Sequence, residues 1–500
     1  MKNLLDKKVL VLGLGQSGLA LARWCVRSGA RVTVADSRAE PPQLKTLQAD
    51  LPQAVFVPAS LDRALFESGE FDMVLKSPGL SPAALLDLVG AAAARGTAVG
   101  NELSVFAKVM SELKTEQGYA PHVIGITGTN GKTTVTSLTA QLITRAGMSV
   151  AMAGNIGLSL LDTLACCLDE SALPEVWVLE LSSFQLDGVD NFEPSVATLL
   201  NISQDHLDWH ETHPAYVKAK ANVFGKSGVL LLNRNDAQVM QSVPVEAKGK
   251  PPRKYMTFGV DSPQRPGDYG IDISNGMSWL VRASEQDESI KQKRGNKGEA
   301  AELLVQRLMP LEALRIAGLH NAANALAALA LATHSGCSLA PLLHALREYR
   351  GEPHRVQSVA VVNSVEYFDD SKGTNVGATA AALSGIGANR KVVIIMGGVG
   401  KGQDFSPLME PVARFARAVV LIGRDAPIIR ASLDSAAVEL LDATSMGHAV
   451  YLAAEHARPG DAVLLSPACA SFDMFDNYEH RAYAFCEAVK ALALEQGVAL

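Results

Sequence analysis

The sequence has little cysteine, no excess of positive charge and no long apolar run. Six cysteines among 500 residues show no pairwise metal-ligand spacing, and the adjacent pair Cys166 and Cys167 is poorly placed for an ordinary disulfide. We therefore expect reduced packing cysteines and a cytoplasmic protein. The formal net charge is −7, which argues against nucleic acid or an acidic membrane as the partner.

No apolar stretch predicts a membrane span or a leader. The alanine-rich run 322–332 is interrupted by Asn324 and falls well short of the roughly 20 residues that a bilayer requires. The apolar start around Val9 turns into a glycine-rich turn within a few residues, so we expect no signal peptide. The basic cluster 291–297 lies among glycine, asparagine and glutamate, and we interpret 284–302 as a charged surface insertion.

The most informative stretch that is present runs Gly128-Thr-Asn-Gly-Lys-Thr-Thr134. It follows the apolar run 122–126 and opens a helical pattern, so backbone N–H groups and the positive end of a helix would converge on one spot. Lys132 would neutralise the β- and γ-phosphates of a nucleoside triphosphate, and the Thr133 hydroxyl would ligate magnesium. We therefore predict an ATP site.

The glycine spacing departs from the usual phosphate loop. Ile126 stands five residues before Gly131, and the glycines lie instead at 125 and 128. The preceding strand and the following helical pattern still favour nucleotide binding. The predicted loop contacts to ATP are Gly128, Thr129, Asn130, Gly131, Lys132, Thr133 and Thr134.

The length of the chain predicts about three α/β domains. We expect a Rossmann-like domain over 1–112, a phosphate-loop ATPase-like domain with a mainly parallel sheet over 113–350, and a Rossmann-like domain over 351–500. The polar stretch 108–120 lacks a sustained period and suggests the first boundary. The sequence shows no internal repeats.

The first segment carries a second glycine-rich turn. Gly13-x-Gly15-x-x-Gly18 lies between a predicted strand and a helix, and Asp36 ends the next strand. An NAD-dependent enzyme is one interpretation, because such an acid binds a ribose hydroxyl. A UDP-linked substrate also carries a diphosphate, so the motif leaves both open. The turn Ser77-Pro-Gly79 adds further N–H groups at a strand end.

Polar residues follow two predicted strands of the second segment. Glu180 follows the strand 175–179, and Asp205-His206 follows the strand 195–202. Ligands of open α/β sheets bind at such carboxyl ends, so Thr133 and Glu180 are candidate magnesium ligands. A zinc site from His206, His210 and His213 is a weaker alternative, since Pro214 limits the helix and no cysteine or glutamate signature completes the set. Residue type alone makes Lys220 an ordinary exposed lysine.

A set of motifs in one order gives the chain a family resemblance. They are Thr127-Gly-Thr-Asn-Gly-Lys-Thr-Thr134, Gly154-Asn-Ile-Gly157, Glu180-Leu-Ser-Ser-Phe-Gln185, Asp205-His-Leu-Asp208, Gly318-Leu-His-Asn-Ala-Ala-Asn324, Pro353-His-Arg355 and Asp370-Ser-Lys-Gly-Thr-Asn375. Together they resemble the Mur ligase family. Gly13 to Gly18, Asp36-Ser-Arg38 and Leu465-Ser-Pro-Ala-Cys-Ala-Ser-Phe472 make the chain most similar to members that join D-glutamate to UDP-N-acetylmuramoyl-L-alanine with ATP.

The resemblance implies a role for each matching residue. Two magnesium ions would be held by Thr133, Glu180, His206 and a carbamylated Lys220. The implied catalytic set is Lys132, Asn155, His206 and Lys220, and the further ATP contacts are Asn321, Asn324, Arg355 and Asp370. The UDP substrate would contact Gly15, Gln16, Ser17, Gly18, Asp36, Ser37, Arg38, Ser77, Gly79 and Asn155. D-glutamate would contact Lys372, Thr374, Lys401, Ser471 and Phe472.

Two positions depart from the family pattern. Val399 stands where some members carry aspartate, so it receives no role. Gly373 occupies a position often held by alanine, which predicts a freer backbone and a slightly different amino-acid pocket.

The implied reaction passes through an acyl phosphate, which must be kept from water, so we expect the third domain to close over the substrates. We expect a monomer. Ligases of the same family that add L-alanine or a diamino acid, and folate polyglutamating enzymes, share the central motifs. A nucleotide-regulated binding protein is the alternative from another class, although it gives no reason for Lys220, Lys372 and Arg355.

Overall fold

A computed structural model describes residues 4–245, 253–285, 303–316 and 318–498 of the chain. Three sheets follow one another along the sequence, each with strands that are mostly parallel. This confirms the predicted α/β class with Rossmann-like outer domains and a phosphate-loop domain between them. In the described residues, no helix is long and apolar enough to cross a membrane.

The first sheet has five parallel strands in the order β3-β2-β1-β4-β5. The order in which strands are added to the sheet reverses between β1 and β4, and such a switch point opens a crevice at the carboxyl ends of the strands. The strands are β1 Lys8–Leu12, β2 Arg31–Asp36, β3 Val55–Pro58, β4 Met73–Lys76 and β5 Ala98–Gly100. The helices are α1 Gln16–Arg27, α2 Leu44–Asp50, α3 Arg63–Glu67, α4 Leu86–Ala94 and α5 Glu102–Gln117.

Helix α5 runs across residue 112, where the sequence suggested a boundary. Asn101 and Ser104 form a capping box at its start, and Leu103, Phe106 and Leu113 bury their side chains. The polar residues 108–120 therefore belong mostly to a helix with one buried face. The hydrophobic periodicity of residues 108–120 is weak because the opposite face of the helix is exposed over several turns.

The central sheet has nine strands in the order β14-β13-β12-β11-β10-β9-β6-β8-β7. Its strands are β6 His122–Thr127, β7 Val150–Gly154, β8 Val176–Glu180, β9 Val196–Leu199, β10 Val229–Asn233, β11 Tyr255–Phe258, β12 Tyr269–Ser274, β13 Met277–Glu285 and β14 Leu303–Pro310. Its helices are α6 Lys132–Arg145, α7 Leu160–Asp169, α8 Ser183–Leu186, α9 Leu207–His210, α10 His213–Ala221, α11 Ala237–Met240, α12 Leu319–His334 and α13 Leu339–Glu348.

Strands β12 to β14 pair antiparallel and extend one edge of this sheet. The sequence analysis did not predict these strands. The expected insertion 284–302 includes the end of β13 and otherwise lies outside the described residues, as does the basic cluster 291–297. Helix α12 contains the alanine-rich run, which is buried in the core against α6.

The third sheet has six strands in the order β15-β16-β20-β17-β18-β19, and only β15 and β16 pair antiparallel among the described strands. Its strands are β15 Gln357–Val362, β16 Val365–Asp369, β17 Val392–Gly397, β18 Ala416–Ile422, β19 Glu439–Asp442 and β20 Ala462–Leu465. Its helices are α14 Val376–Gly387, α15 Met409–Phe415, α16 Ala426–Leu433, α17 Met446–His456 and α18 Tyr478–Glu495.

Candidate functional site

The glycine-rich loop between β6 and α6 forms a compact cradle. Gly131 precedes the helix with a φ of 84°, and an added Cβ there would lie 2.7 Å from Asn324 Oδ1. Thr129 N donates to the carbonyl of Asn201 at 2.9 Å, and Asn130 N donates to Asn201 Oδ1 at 2.8 Å. Asn201, two residues after the neighbouring parallel strand β9, therefore fixes the position of the loop.

Two lysines converge on this loop. Lys132 Nζ donates to the carbonyls of Gly128 at 2.8 Å and Thr129 at 2.9 Å, and Lys220 Nζ donates to Gly128 at 2.8 Å. Lys220 is only 2% exposed, and burial followed by the charge of Lys132 puts its pKa well below the usual value. Its interpretation as an ordinary exposed lysine is therefore wrong. Burial also lowers the pKa of Lys132.

Glu180 lies at the carboxyl end of β8, beside the loop that carries Asn155. Asn155 Nδ2 donates to Glu180 Oε1 at 2.8 Å, and Asn155 N donates to the Glu180 carbonyl at 2.8 Å. Glu180 is 2% exposed, and its Oε2 is buried without a hydrogen-bond partner among the described residues. A buried carboxylate oxygen of this kind suits a hard cation.

His206 immediately precedes the short helix α9, in a left-handed conformation with a φ of 54°. Burial lowers its pKa to about 4, so the neutral imidazole is the form present near pH 7. Its Nε2 lies 3.6 Å from Asp205 Oδ2, and its ring packs edge-on against Phe184 with centroids 4.6 Å apart. A neutral imidazole can ligate a metal ion.

The three histidines of the zinc alternative all lie around the Tyr216 ring, with ring centroids 6.5, 5.4 and 6.2 Å from it. His210 Nε2 pairs with Ser183 Oγ at 2.9 Å, while His213 begins helix α10. Within the described residues, no group of three or more histidine, cysteine, aspartate or glutamate side chains is placed to hold a metal ion.

The third domain reaches the phosphate loop directly. Arg355 Nη2 lies 3.5 Å from Thr133 Oγ1. Asn375 Nδ2 donates to Asn130 Oδ1 at 2.9 Å, and Asn130 Nδ2 returns a bond of 3.2 Å to Asn375 Oδ1. The two domains therefore meet at the site rather than beside it.

A cavity of about 330 Å³ lies between the central and third domains. The predicted ATP residues in its wall are Asn130, Gly131, Thr134, Asn321, Asn324, Arg355 and Asp370. Asp370 accepts a bond of 2.7 Å from Ser466 Oγ, and burial raises its pKa to about 7. Sequence analysis missed Asn233, Phe258, Ile316 and His320 in the same wall. Asn233 ends β10, so the rule that ligands bind at strand ends could have found it.

The predicted amino-acid set lies on three loops of the third domain. Lys372 Nζ lies 5.4 Å from the centre of the Tyr478 ring, and burial followed by the charge of Arg355 lowers its pKa. The backbone of Lys401 lies in the left-handed region, with a φ of 53°. Ser471 is buried, Thr374 is half-buried, and Phe472 is 73% exposed.

Backbone pairing brings these loops together. Val399 and Ala470 exchange bonds of 2.8 and 2.9 Å, which gives Val399 a structural place between the loops of Lys401 and Ser471. Buried Arg481 donates to the carbonyls of Ser371 and Cys469 at 2.7 and 3.0 Å. Sequence analysis missed Arg481 and Tyr478, which lie on the distant helix α18.

Gly373 is more constrained than the sequence suggested. An added Cβ would lie 2.5 Å from Asp370 Oδ2 and 3.0 Å from Ser466 Oγ, and Gly373 N donates to the Asp370 carbonyl at 2.8 Å. An alanine at this position would therefore crowd the buried Asp370 carboxylate, which favours glycine in this turn.

The predicted UDP contacts of the first domain gather at the switch point of the first sheet, whereas Asn155 lies beside Glu180 in the central domain. Gln16, Ser17 and Gly18 form the first turn of α1 after Gly15, and Ser77 Oγ donates to the Gly13 carbonyl at 3.0 Å. Gly79 has open space around it, and Ser37 is exposed.

Asp36 organises this turn. Its Oδ2 accepts from Leu14 N at 2.7 Å, while Arg38 binds both carboxylate oxygens at 2.8 and 2.9 Å. The side-chain hydrogen bonds from Arg38 are the main reason that the pKa of Asp36 is lowered to about 2. Asp36 is 2% exposed, so it fixes the turn and aims Arg38, which is itself more than half exposed.

Family models cover most of the chain. Residues 7–100 match the Mur ligase MurD-like N-terminal domain, 126–332 match the Mur ligase middle domain, and 354–469 match the Mur ligase glutamate ligase domain. The chain is 59% identical over 503 residues to a UDP-N-acetylmuramoylalanine–D-glutamate ligase of Albidiferax ferrireducens, covering 100% of this chain and 99% of the relative. A relative of the same description from Polaromonas is 53% identical over 590 residues, with 100% of both chains covered.

Solved structures share the fold at low identity. MurF ligase from Thermotoga maritima, in complex with ADP, superposes with a TM-score of 0.57 at 15% identity and covers 99% of this chain and 97% of its own. UDP-N-acetylmuramate-alanine ligase from Thermotoga maritima gives 0.54 at 19% identity, with 97% and 100% covered.

Proposed function

This chain belongs to the Mur ligase family, among the UDP-N-acetylmuramoylalanine–D-glutamate ligases, and from that membership we propose how its residues carry out the reaction. The enzyme is an ATP-dependent ligase of peptidoglycan synthesis. We assign residues 1–112 to the UDP substrate, 113–350 to ATP and 351–500 to the amino acid. The observation that carries the proposal is the meeting of Lys132, Lys220, Glu180 and Arg355 around one phosphate loop.

ATP fills the cavity between the central and third domains. Its phosphates lie on the N–H groups of residues 128–134, beside Lys132 and Arg355. Asn321 and Asn324 face the nucleoside from α12, and Asp370 accepts from the ribose hydroxyls. The cavity walls come from both domains, so nucleotide binding stabilises their contact.

Two magnesium ions fit the donors beside the loop. Thr133 and Glu180 would hold one ion, and His206 with a carbamylated Lys220 would hold the other. The unpaired Oε2 of Glu180 and the neutral imidazole of His206 support this assignment. When bound, the ions screen the negative charge of the transferring phosphoryl group.

Lys220 is suited to carbamylation. Its lowered pKa favours the neutral amine, whose nitrogen lone pair attacks the carbon of carbon dioxide and then releases a proton. The product is an oxygen-bearing anion in place of an ammonium. That change replaces the repulsion between Lys220 and Lys132 with an attraction.

The reaction proceeds in two steps. The L-alanyl carboxylate, oriented by Asn155, attacks the γ-phosphorus of ATP and displaces ADP, while Lys132 and Arg355 stabilise the equatorial oxygens. The amine of D-glutamate then attacks the acyl-phosphate carbonyl. The tetrahedral intermediate collapses to an amide and inorganic phosphate, and the amine loses its proton.

D-glutamate is a dicarboxylate and therefore needs cationic and hydroxyl donors. Lys372, Thr374, Lys401 and Ser471 supply them, and the exposed Phe472 closes the pocket when the substrate enters. The Val399–Ala470 pairing and Arg481 keep these loops in register.

The UDP moiety is bound by the first domain. Gly15 to Gly18 present N–H groups to the diphosphate, and Ser77 and Gly79 flank it. Ser37 and Arg38, aimed by Asp36, contact the uridine end. The fingerprint thus serves a UDP diphosphate, and the NAD interpretation is not needed.

Phosphate release tests the proposal directly. With ATP, magnesium and UDP-N-acetylmuramoyl-L-alanine present, release requires D-glutamate and not L-glutamate, L-alanine or a diamino acid, and amide forms in equal amount. Release with another amino acid would correct the pocket, and nucleotide hydrolysis without any acceptor would favour a nucleotide-regulated binding protein. We propose that the enzyme is a cytoplasmic monomer. Light scattering of the active species tests the oligomeric state, and cell fractionation tests the location.

A further inference from the structure

Glu102 is a buried carboxylate for which the reaction described above has no use. It begins α5, it is 1% exposed, and burial raises its pKa. Buried carboxylates are costly unless they are hydrogen-bonded. The residues around Glu102 therefore indicate what its carboxylate does.

The partners of Glu102 come from two domains. Its Oε1 accepts from Leu161 N at 3.0 Å, in the first turn of α7 of the central domain. The nearby hydroxyls of Ser159, which caps α7, and Ser17, in the first turn of α1, act against the rise of its pKa, although its buried Oε2 makes no hydrogen bond among the described residues. One carboxylate thus faces the first turns of two helices whose N–H ends attract negative charge.

Those two helices begin beside opposite ends of the UDP substrate site proposed above. Helix α1 begins at the diphosphate turn. Helix α7 follows the loop 154–157, in which Asn155 contacts Glu180. Neighbouring Asn101 adds a second link, because its Nδ2 donates to the carbonyl of Gln185 at 2.9 Å, in the segment that follows Glu180.

We infer that Glu102 is a positioning residue that sets the distance between the diphosphate turn and the Asn155 loop, so that one bound UDP substrate reaches both. This inference rests on the proposed function. The substrate is long and its reacting carboxylate must be placed within a fraction of an ångström, so the spacing of the two domains decides the rate. Loss of the link misplaces the carboxylate while the sites for ATP and amino acid stay intact.

The chain offers a matched control in the same interface. Asp169 lies at the far end of α7 and binds Arg27 of α1 through two bonds of 2.6 and 2.8 Å. It also joins the first and central domains, but it is largely exposed and distant in sequence from the loops that face the substrate. Asp169→Asn therefore removes an interdomain contact without touching the proposed link.

Steady-state kinetics of the full-length enzyme test the inference. We expect Glu102→Ala to lower kcat/KM for the UDP substrate about 30-fold, with the KM of ATP and of D-glutamate within about twofold. Glu102→Gln keeps an acceptor for Leu161 N and retains kcat/KM within about threefold, and Asp169→Asn matches the wild type. If Glu102→Ala does not fold, Glu102→Asp, which is one methylene shorter, is expected to show the same selective loss.

An equal loss in all three substrates, a loss in Asp169→Asn as large as in Glu102→Ala, or no loss in any Glu102 variant would overturn the inference. Wild-type turnover with D-glutamate in the same assay tests the proposed function separately. Failure of that turnover would therefore be distinguished from failure of the inference.

Discussion

Lys132 and Lys220 donate to the same oxygen, the carbonyl of Gly128, and each Nζ lies 2.8 Å from it. Two buried ammonium groups at one acceptor repel each other, and burial adds to the cost of both charges. The pKa of Lys220 is lowered well below its usual value for these reasons. The arrangement is stable when one of the two nitrogens loses its positive charge.

Substitution of Lys220 by alanine is expected to lower kcat on the order of 100-fold or more, because a charged group is lost beside the transferring phosphoryl. Short carboxylic acids should restore part of the rate if a carbamate serves as a metal-ligating anion. Turnover with and without added acetate or formate measures this. Lys218→Ala, on the exposed side of the same helix, is the control and should behave as the wild type.

Arg355→Lys tests the contribution of the third domain to phosphoryl transfer. The guanidinium binds phosphate oxygens as a planar fork, which an ammonium cannot reproduce. We expect kcat to fall by about 10²-fold, with the KM for the UDP substrate unchanged. Arg350→Lys, which alters an exposed arginine just outside the site, should leave kcat unaltered. A rise in the KM for the UDP substrate alone would place Arg355 elsewhere in the reaction.

The pH dependence of ATP use should report Asp370. Burial raises its pKa from 3.8 to about 7, and the ionised form is the stronger acceptor for the ribose hydroxyls. Consequently kcat/KM for ATP should rise with pH through about 7. The effect of pH on folding stability has the opposite sign. The raised pKa of Asp370 stabilises the folded state below pH 3.8, and this stabilisation is lost as the pH rises through about 7.

Asp370→Asn should remove this step from the pH profile and raise the KM for ATP by about tenfold, as expected for a lost charge-assisted hydrogen bond. Asp404→Asn, at an exposed position of the same domain, should keep the wild-type profile. An unchanged step in Asp370→Asn would assign the titration to another group.

Gly131→Ala should weaken nucleotide binding at least tenfold. Its φ of 84° disfavours any side chain, and the new methyl would lie 2.7 Å from Asn324 Oδ1. Gly147→Ala provides the control, because Gly147 has a φ of 91° but open space around it. Calorimetric titration with ATP should show weaker binding only for Gly131→Ala, while both variants lower the melting temperature. Equal ATP affinity in both would show that the loop tolerates the methyl group.

The sequence predicted those parts of the site that depend on local pattern. The phosphate loop was recognisable because a strand, a glycine turn and a helix follow one another, and Glu180 because it ends a strand. Lys220 could not be placed by residue type, since its burial depends on Tyr216 and on the loop at Gly128. Only the family resemblance gave it a role.

Contacts between distant segments account for what was missed. Arg481 and Tyr478 support the Lys372 loop from a helix more than a hundred residues away in sequence. The antiparallel strands β12 to β14 depend on pairing across the sheet edge, and helix α5 on a core that its polar face concealed. Such features follow from tertiary packing, which periodicity does not report.

The central claim is that the substrate carboxylate is phosphorylated at this loop before D-glutamate attacks. UDP-N-acetylmuramoyl-L-alanine labelled with ¹⁸O in its terminal carboxylate tests it most directly, with mass spectrometry of the released phosphate. Attack by a carboxylate oxygen on the γ-phosphorus predicts one ¹⁸O atom in each phosphate formed with D-glutamate. Unlabelled phosphate accompanied by amide would contradict the acyl-phosphate route and the roles assigned to Lys132, Asn155 and Arg355.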